Sequence, residues 1–136
     1  MLVYLAGSIT WYHVNNCLED CLKWRRQLTY ALENINIKVF NPCISYNENL
    51  RYSGQSVVKQ NSHYLRECSH LIVHGDHLLD SPGSIFEMTT MYLANKPIIA
   101  FGYNEYEKYP HLKFMVDQHL NNIDEVVDYM NNLYYL

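Results

Sequence analysis

Glu87 is the residue whose setting in this sequence most suggests chemistry. It belongs to SPGSIFEM, residues 81–88, which follows an apolar run and opens a segment of helical periodicity. Ser84 and Glu87 match a capping box, in which two side chains satisfy free backbone N–H groups of a first helical turn. The same carboxylate, placed after a loop of small residues, could instead act on a ligand. By itself, the stretch favours capping.

Two further carboxylates, Asp76 and Asp80, lie in the preceding loop. A positioned acid that protonates a leaving group contributes about 10²–10⁴-fold to a rate. Each aspartate is equally well explained as a solvated residue that closes a turn. Both are therefore candidates for a general acid and for ligand contact, with the structural role left open.

Arg25 also has two interpretations, because it lies on the apolar stripe of a predicted helix. It either pairs inside the core or points into a ligand site. His70, His74 and His77 raise the question of a metal, but no H-E-x-x-H or C-x-x-C pattern accompanies them. We predict no metal and no other cofactor.

The composition bounds the class of protein. A chain of 136 residues with 49% hydrophobic residues is predicted to be a single domain, 1–136, with a real core. A net charge of −4 and a pI near 5.9 argue against a nucleic-acid surface. No apolar run reaches membrane-spanning length, and the first residues lack the positive start of a signal peptide. The four cysteines are then expected to be reduced thiols in a cytoplasmic protein.

Short apolar runs alternate with segments of helical periodicity, which predicts βαβ units. The expected fold is α/β: a small doubly wound, flavodoxin- or Rossmann-like parallel sheet of four to five strands with helices on both faces. Strands are predicted at 2–6, 35–40, 70–75 and 96–102, helices at 17–34, 55–68, 84–95 and 123–136, a long polar loop at 41–55, and partial order at 112–120.

Ligands of such folds bind beyond the carboxyl ends of the strands. The segments GSITW, NPC, HGDHLLDSPGS and FGYNE all leave predicted strands at those ends. They should gather at one rim of the sheet, with Glu87 among them. This placement favours a functional role for Glu87 over capping alone.

With its elements in this order, the chain resembles the nucleoside 2-deoxyribosyltransferase family and the related nucleoside 5′-monophosphate N-glycosidases. The likeness rests on YLAGSI at 4–9, VVKQNSHYLRECSHLIV at 57–73 and SPGSIFEM…ANKPII at 81–99. It covers most of the chain, and the order and spacing of the motifs make the combination fairly specific.

The resemblance implies roles for matching positions. Glu87 falls where the family has its nucleophilic carboxylate, and Tyr4 falls where a tyrosine hydroxyl orients it. Asn61 replaces the usual aspartate near the base, and an amide cannot protonate a leaving base. The loops implied to surround the substrate are Gly7, Ser8 and Ile9, along the sugar and base, and Ser81, Gly83 and Ser84, at the 5′-hydroxyl or 5′-phosphate.

The expected activity is cleavage of the N-glycosidic bond of a (deoxy)nucleoside or its 5′-monophosphate, through a covalent glycosyl-Glu87 intermediate, with transfer to another free nucleobase. One alternative is hydrolysis, as in an N-glycosidase. Another is a nucleotide-binding module without turnover, suggested by Asn61 and by MTTMY after Glu87. Free N–H groups at SPGS suit a phosphate at least as well as a hydroxyl, so that choice stays open.

We also expect a homodimer or higher homo-oligomer. The tyrosines of YNEYEKY and of the terminal YYL suit interface cores. A shallow rim in a chain of this size leaves a ligand mostly wet, whereas binding sites usually bury most of it. A neighbouring subunit would close the cleft.

Overall fold

A computed structural model of the chain describes residues 1–45 and 53–134. In this part of the chain a single five-stranded sheet has the order β2-β1-β3-β4-β5, and every strand pair is parallel. The strands are β1 (Leu2–Ala6), β2 (Lys38–Phe40), β3 (His70–His74), β4 (Ile98–Phe101) and β5 (Gln118–Leu120). The α-helices are α1 (Thr10–Val14), α2 (Leu18–Glu33), α3 (Gly54–Glu67), α4 (Pro82–Leu93), α5 (Pro110–Met115) and α6 (Ile123–Leu133). None of these helices combines the length and apolar character needed to cross a membrane.

Helices cover both faces of the sheet, so the doubly wound α/β prediction is confirmed. Alternate residues of β1 point to opposite faces. Val3 and Leu5 pack in a core with α2 and α6, whereas Tyr4 and Ala6 pack in a core with α3, α4 and α5. Burial on both faces explains why the central strands read as nearly continuous apolar runs.

Two elements escaped the sequence prediction because they are short. The segment 112–120, expected to be only partly ordered, contains the end of α5 and all of β5, which pairs with β4. The loop after β1 contains α1. Three residues of strand or five of helix are too few to establish a period. Part of the predicted loop 41–55 and the last two residues of the predicted helix 123–136 lie outside the described residues.

The capping-box prediction is wrong. Ser81 is the N-cap of α4, and its Oγ accepts a hydrogen bond from Ser84 N at 3.4 Å. Pro82 follows at the first helical position, where a missing N–H costs nothing. Glu87 therefore lies in the second turn of α4, and its carboxylate is not needed at the helix terminus.

The tyrosine-rich segment 103–109 does not act as one surface. Tyr106 is only 1% exposed and packs in the core under α4 and α5, with its hydroxyl 2.5 Å from His119 Nδ1. Tyr103 and Tyr109 are exposed. The expectation that these tyrosines suit an interface is therefore wrong for Tyr106, because its ring completes the core of its own chain.

Candidate active site

A cavity of about 450 Å³ lies beyond the carboxyl end of β1, between the loop after that strand, α3 and the start of α4. Its lining residues are Gly7, Ile9, Thr10, Arg25, Pro42, Val58, Asn61, Asp80, Ser81, Pro82, Gly83, Ser84, Phe86 and Glu87. The cavity thus lies at the edge of the sheet where doubly wound folds bind ligands.

Glu87 reaches this cavity because it lies on the inward stripe of α4. Ser84, Met88 and Met91 are buried on that stripe, and Glu87 stands at the same helical spacing. Tyr4 projects from β1 toward the same face and donates its phenol hydroxyl to the Glu87 carboxylate. The side chain of Tyr4 is fully buried, so the hydrogen bond holds the carboxylate from below.

Burial raises the pKa of Glu87 from its ordinary value of 4.5 to about 7, while the Tyr4 hydrogen bond and the Arg25 guanidinium oppose the rise. Burial first, and then the neighbouring carboxylate, raise the pKa of Tyr4 far above its usual value. Tyr4 therefore stays a hydrogen-bond donor, and Glu87 changes its charge near neutral pH. Perturbed carboxyl groups in a cavity are typical of functional sites.

Arg25 is 1% exposed, and its two terminal nitrogens donate to oxygens of the protein. Nη1 donates to Leu5 O at 3.1 Å and to Asn41 Oδ1 at 3.2 Å, and Nη2 donates to Gly7 O at 3.0 Å. The guanidinium thereby ties α2 to the end of β1 and to the segment after β2. Arg25 thus has partners inside the core, as one sequence interpretation expected, although they are neutral oxygens and not a carboxylate, and it also lines the cavity.

The first turn of α4 forms one wall of the cavity. Ser81 donates its hydroxyl to Ser84 Oγ at 2.7 Å, and Gly83 is exposed beside them. Free N–H groups at the start of a helix, together with the positive end of its dipole, favour an anionic or hydroxyl group of a ligand. Asn61 faces this wall from α3.

The structure brings most of the predicted site residues together and separates two of them. The cavity contains Glu87, Asp80, Gly7, Ile9, Asn61, Ser81, Gly83, Ser84 and Arg25, with Tyr4 beneath it. Ser8 is buried outside the cavity, and its carbonyl accepts from the Cys21 thiol at 3.4 Å. Asp76 does not reach the cavity either, because its Oδ1 accepts from Tyr103 N at 2.9 Å and lies 3.4 Å from His74 Nε2.

Five lining residues were not predicted: Thr10, Pro42, Val58, Pro82 and Phe86. Val58 and Phe86 are more than half exposed, at 55% and 52%, so they flank the cavity without belonging to a core. Phe86 could have been predicted as a lining residue, because it is the sequence neighbour of Glu87. Val58 carried no such signal, because it lies inside the predicted helix 55–68 without a feature that marks it as part of a site. Across residues 1–45 and 53–134, no group of three His, Cys, Asp or Glu side chains is arranged to hold a metal ion.

The fold belongs to a known class of α/β proteins. No family model and no curated protein matches the sequence. Among solved structures, a 2-deoxyribosyltransferase from Bacillus psychrosaccharolyticus matches with a TM-score of 0.69 and 16% identity, over 95% of this chain and 92% of that one. The Clostridium botulinum CMP N-glycosidase BcmB matches with a TM-score of 0.65 and 21% identity, over 97% and 99%.

A third structure, of a conserved protein from Enterococcus faecalis V583, matches with a TM-score of 0.70 and 9% identity, over 97% of this chain and 98% of that one. All of these likenesses span nearly the whole of both chains. The chain therefore shares its fold with a 2-deoxyribosyltransferase and with a CMP N-glycosidase, and the resemblance drawn from the sequence is confirmed at the level of the fold.

Proposed function

We propose that this protein cleaves the N-glycosidic bond of a (deoxy)nucleoside or its 5′-monophosphate, with Glu87 as nucleophile. The observation that carries the proposal is a carboxylate with a raised pKa, held by the buried Tyr4 hydroxyl, in a cavity beyond the first strand. The shared fold of a 2-deoxyribosyltransferase and a CMP N-glycosidase supports the same class of reaction.

In the proposed reaction the ionised Glu87 attacks C1′ of the sugar as the bond to the base breaks. A glycosyl ester forms on Glu87, and the electrons of the broken bond leave with the base. A second base then attacks C1′, restores the Glu87 carboxylate and gives the exchanged nucleoside. Water in place of that base gives hydrolysis, which is the alternative outcome.

The departing base needs a proton or hydrogen bonds. Among the described residues, Asp80 is the second carboxylate that lines the cavity, so we assign it the role of general acid in preference to Asp76. Asn61 donates and accepts hydrogen bonds and is assigned to contact with the base. The first turn of α4 receives the 5′-hydroxyl or 5′-phosphate, since its N–H groups and the Ser81 hydroxyl suit either group.

A 2′-deoxyribosyl substrate follows from the family resemblance alone. We also propose a homodimer or higher homo-oligomer in which a neighbour narrows the mouth of the cavity, where Val58 and Phe86 are exposed. Exclusion of water would favour transfer over hydrolysis. The four cysteines are free thiols, in agreement with the proposed cytoplasmic location.

The test is a panel of deoxynucleosides, ribonucleosides and their 5′-monophosphates, each incubated with and without an acceptor base. We expect the base to be released or exchanged, which chromatography of the reaction mixture detects. Neither release nor exchange should occur with the Glu87→Ala variant. The matched control is Glu33→Ala, which removes an exposed glutamate from the last turn of α2.

Activity that persists undiminished in Glu87→Ala contradicts the proposal. Stoichiometric nucleotide binding by calorimetry, with no product from any substrate of the panel, would instead favour the binding module without turnover. Comparison of each deoxynucleoside with its monophosphate decides the choice between a 5′-hydroxyl and a 5′-phosphate.

A further inference from the structure

A second cavity, of about 650 Å³, lies on the opposite face of the sheet, between α2, α6 and the carboxyl ends of β3 and β4. It shares no lining residue with the Glu87 cavity. The two are nonetheless close: a Cβ added at Gly7 would lie 2.9 Å from Trp24 Cζ2. One layer of side chains therefore separates them.

The floor of the second cavity is aromatic. The ring centroid of Trp24 lies 4.8 Å from that of His74 and 5.5 Å from that of Phe101, and the His74 and Phe101 centroids are 4.9 Å apart. All three residues are more than nine-tenths buried, so the floor is rigid. It offers aromatic surface to a ligand.

His74 contributes a polar group without a partner. The residue is 9% exposed and lines the cavity, and its Nδ1, an atom buried from solvent, has no hydrogen-bond partner in the described part of the chain. Burial lowers the pKa of His74 to about 4, so the ring is neutral at pH 7. Nε2 lies 3.4 Å from Asp76 Oδ1, which favours the proton on Nε2 and leaves Nδ1 as an acceptor.

The rim is acidic. Asp76 and Asp124 both line the cavity, and the lining residues within 1–45 and 53–134 include no lysine and no arginine. Carboxylates only accept hydrogen bonds, so the rim calls for a ligand that donates them. The N-terminus of α6 is a poor site for an anion, because the carboxylate of Glu125 already lies there and accepts a hydrogen bond from Asn121 N at 2.7 Å.

We propose that this cavity binds a small planar organic cation of the amidinium or guanidinium type. The N–H groups of the cation donate to Asp76 and Asp124, and its flat face packs against the aromatic rings of Trp24 and Phe101, whose faces attract a cation. Asp76 does not line the Glu87 cavity, and in this proposal it binds the cation in the second cavity. The inference is independent of the chemistry proposed for Glu87.

The first test uses three probes of one shape and different charge: benzamidine, benzamide and benzoate. The chain has two tryptophans, so Trp11→Phe assigns the indole N–H resonance of Trp24 in a ¹⁵N spectrum. We expect benzamidine to shift the Trp24 resonance in a saturable way and to bind about tenfold more tightly than benzamide, as charged hydrogen bonds outweigh neutral ones. Benzoate should leave the resonance unchanged.

The second test uses variants. Asp76→Asn should weaken benzamidine binding about tenfold, and the introduced carboxamide oxygen can still accept from Tyr103 N. Asp124→Asn should weaken it about two- to fivefold, because Asp124 is exposed. The matched control is Asp128→Asn, an exposed aspartate one turn further along α6 and outside the cavity.

Glu87→Ala should bind benzamidine as the wild type does, whatever its activity, which separates this inference from the proposed enzyme. The inference is overturned if benzamidine gives no saturable shift at Trp24. It is equally overturned if benzamide binds as tightly as benzamidine, or if Asp76→Asn and Asp128→Asn have the same effect.

Discussion

Tyr4 on β1 donates its hydroxyl to the carboxylate of Glu87 on α4, across a separation of 83 residues in the sequence. Two regular patterns meet in this contact: the alternation of the strand directs Tyr4 to the α4 face, and the inward stripe of the helix directs Glu87 to the sheet. The carboxylate is therefore held between the two layers, where burial raises its pKa to about 7.

This pKa predicts the acid limb of the activity. The proposed nucleophile attacks only when it is ionised, so kcat/KM should rise with pH and level off above a midpoint near pH 7. A profile of kcat/KM from pH 5 to pH 9 on the best substrate of the panel measures it. A midpoint near pH 4.5, the ordinary value for a glutamate, would contradict the assignment.

Tyr4→Phe should move that midpoint upward. The substitution removes a hydrogen bond that lowers the pKa of Glu87 and leaves the burial that raises it. Loss of one hydrogen bond to a charged group should reduce kcat/KM about ten- to a hundredfold at neutral pH, with partial recovery at higher pH. Phe40→Leu serves as a control, because Phe40 contacts the Tyr4 ring and leaves its hydroxyl in place. An unshifted profile in Tyr4→Phe would mean that the hydroxyl does not tune the carboxylate.

Glu87→Gln should change how stability depends on pH. Between pH 4.5 and about 7 the folded protein keeps a proton that the unfolded chain has released, so this group's contribution to stability falls as pH rises through that window. The variant lacks the ionisation, so its Tm at pH 8 should exceed that of the wild type by several degrees and the two should converge toward pH 4. Thermal unfolding from pH 4 to pH 8 measures the difference. Glu33→Gln should keep the wild-type slope, and an equal slope in Glu87→Gln would contradict the raised pKa.

Arg25→Met should destabilise the fold. Its guanidinium donates to Leu5 O, Gly7 O and Asn41 Oδ1, and loss of a donor to a buried oxygen costs about 1–3 kcal/mol. Asn41 Oδ1 keeps its hydrogen bond from Cys43 N, so its share is the smallest. We expect the free energy of unfolding in urea to fall by about 2–5 kcal/mol. Arg26→Met is the control: Arg26 is exposed and pairs with the exposed Glu19, so its loss should cost under about 1 kcal/mol. Equal costs for the two variants would show that the buried hydrogen bonds contribute little.

Ser81→Ala should lower the free energy of unfolding by about 1 kcal/mol, because Ser81 is the N-cap of α4. Ser84→Ala should cost less, since the Ser84 hydroxyl accepts from Ser81 and caps no backbone N–H in the structure. Urea unfolding of both variants decides between them. A larger loss in Ser84→Ala would restore the capping box inferred from the sequence.

The sequence could predict those features that depend on which residues of a helix or strand are buried and which are exposed to solvent. Buried strands such as His70–His74 appear as apolar runs, and α2 appears in the spacing of its buried residues, because burial acts on each residue within its own element. Glu87 could be placed on a helix near the rim for the same reason. The short elements β5 and α1 could not be found, since a few residues carry no period.

Only the tertiary structure decided which side chains meet. Asp76 and Asp80 are close in sequence, yet the left-handed backbone of His77, with φ of 58°, and the turn that follows separate them onto different cavities. Arg25 shows the same limit, because its oxygen partners come from β1 and from the segment after β2. Periodicity records which side of an element is covered, but the partner on that side is set by long-range packing. The order of the elements and the position of Glu87 were thus determined by the sequence, and the Tyr4–Glu87 contact and the division into two cavities by the fold.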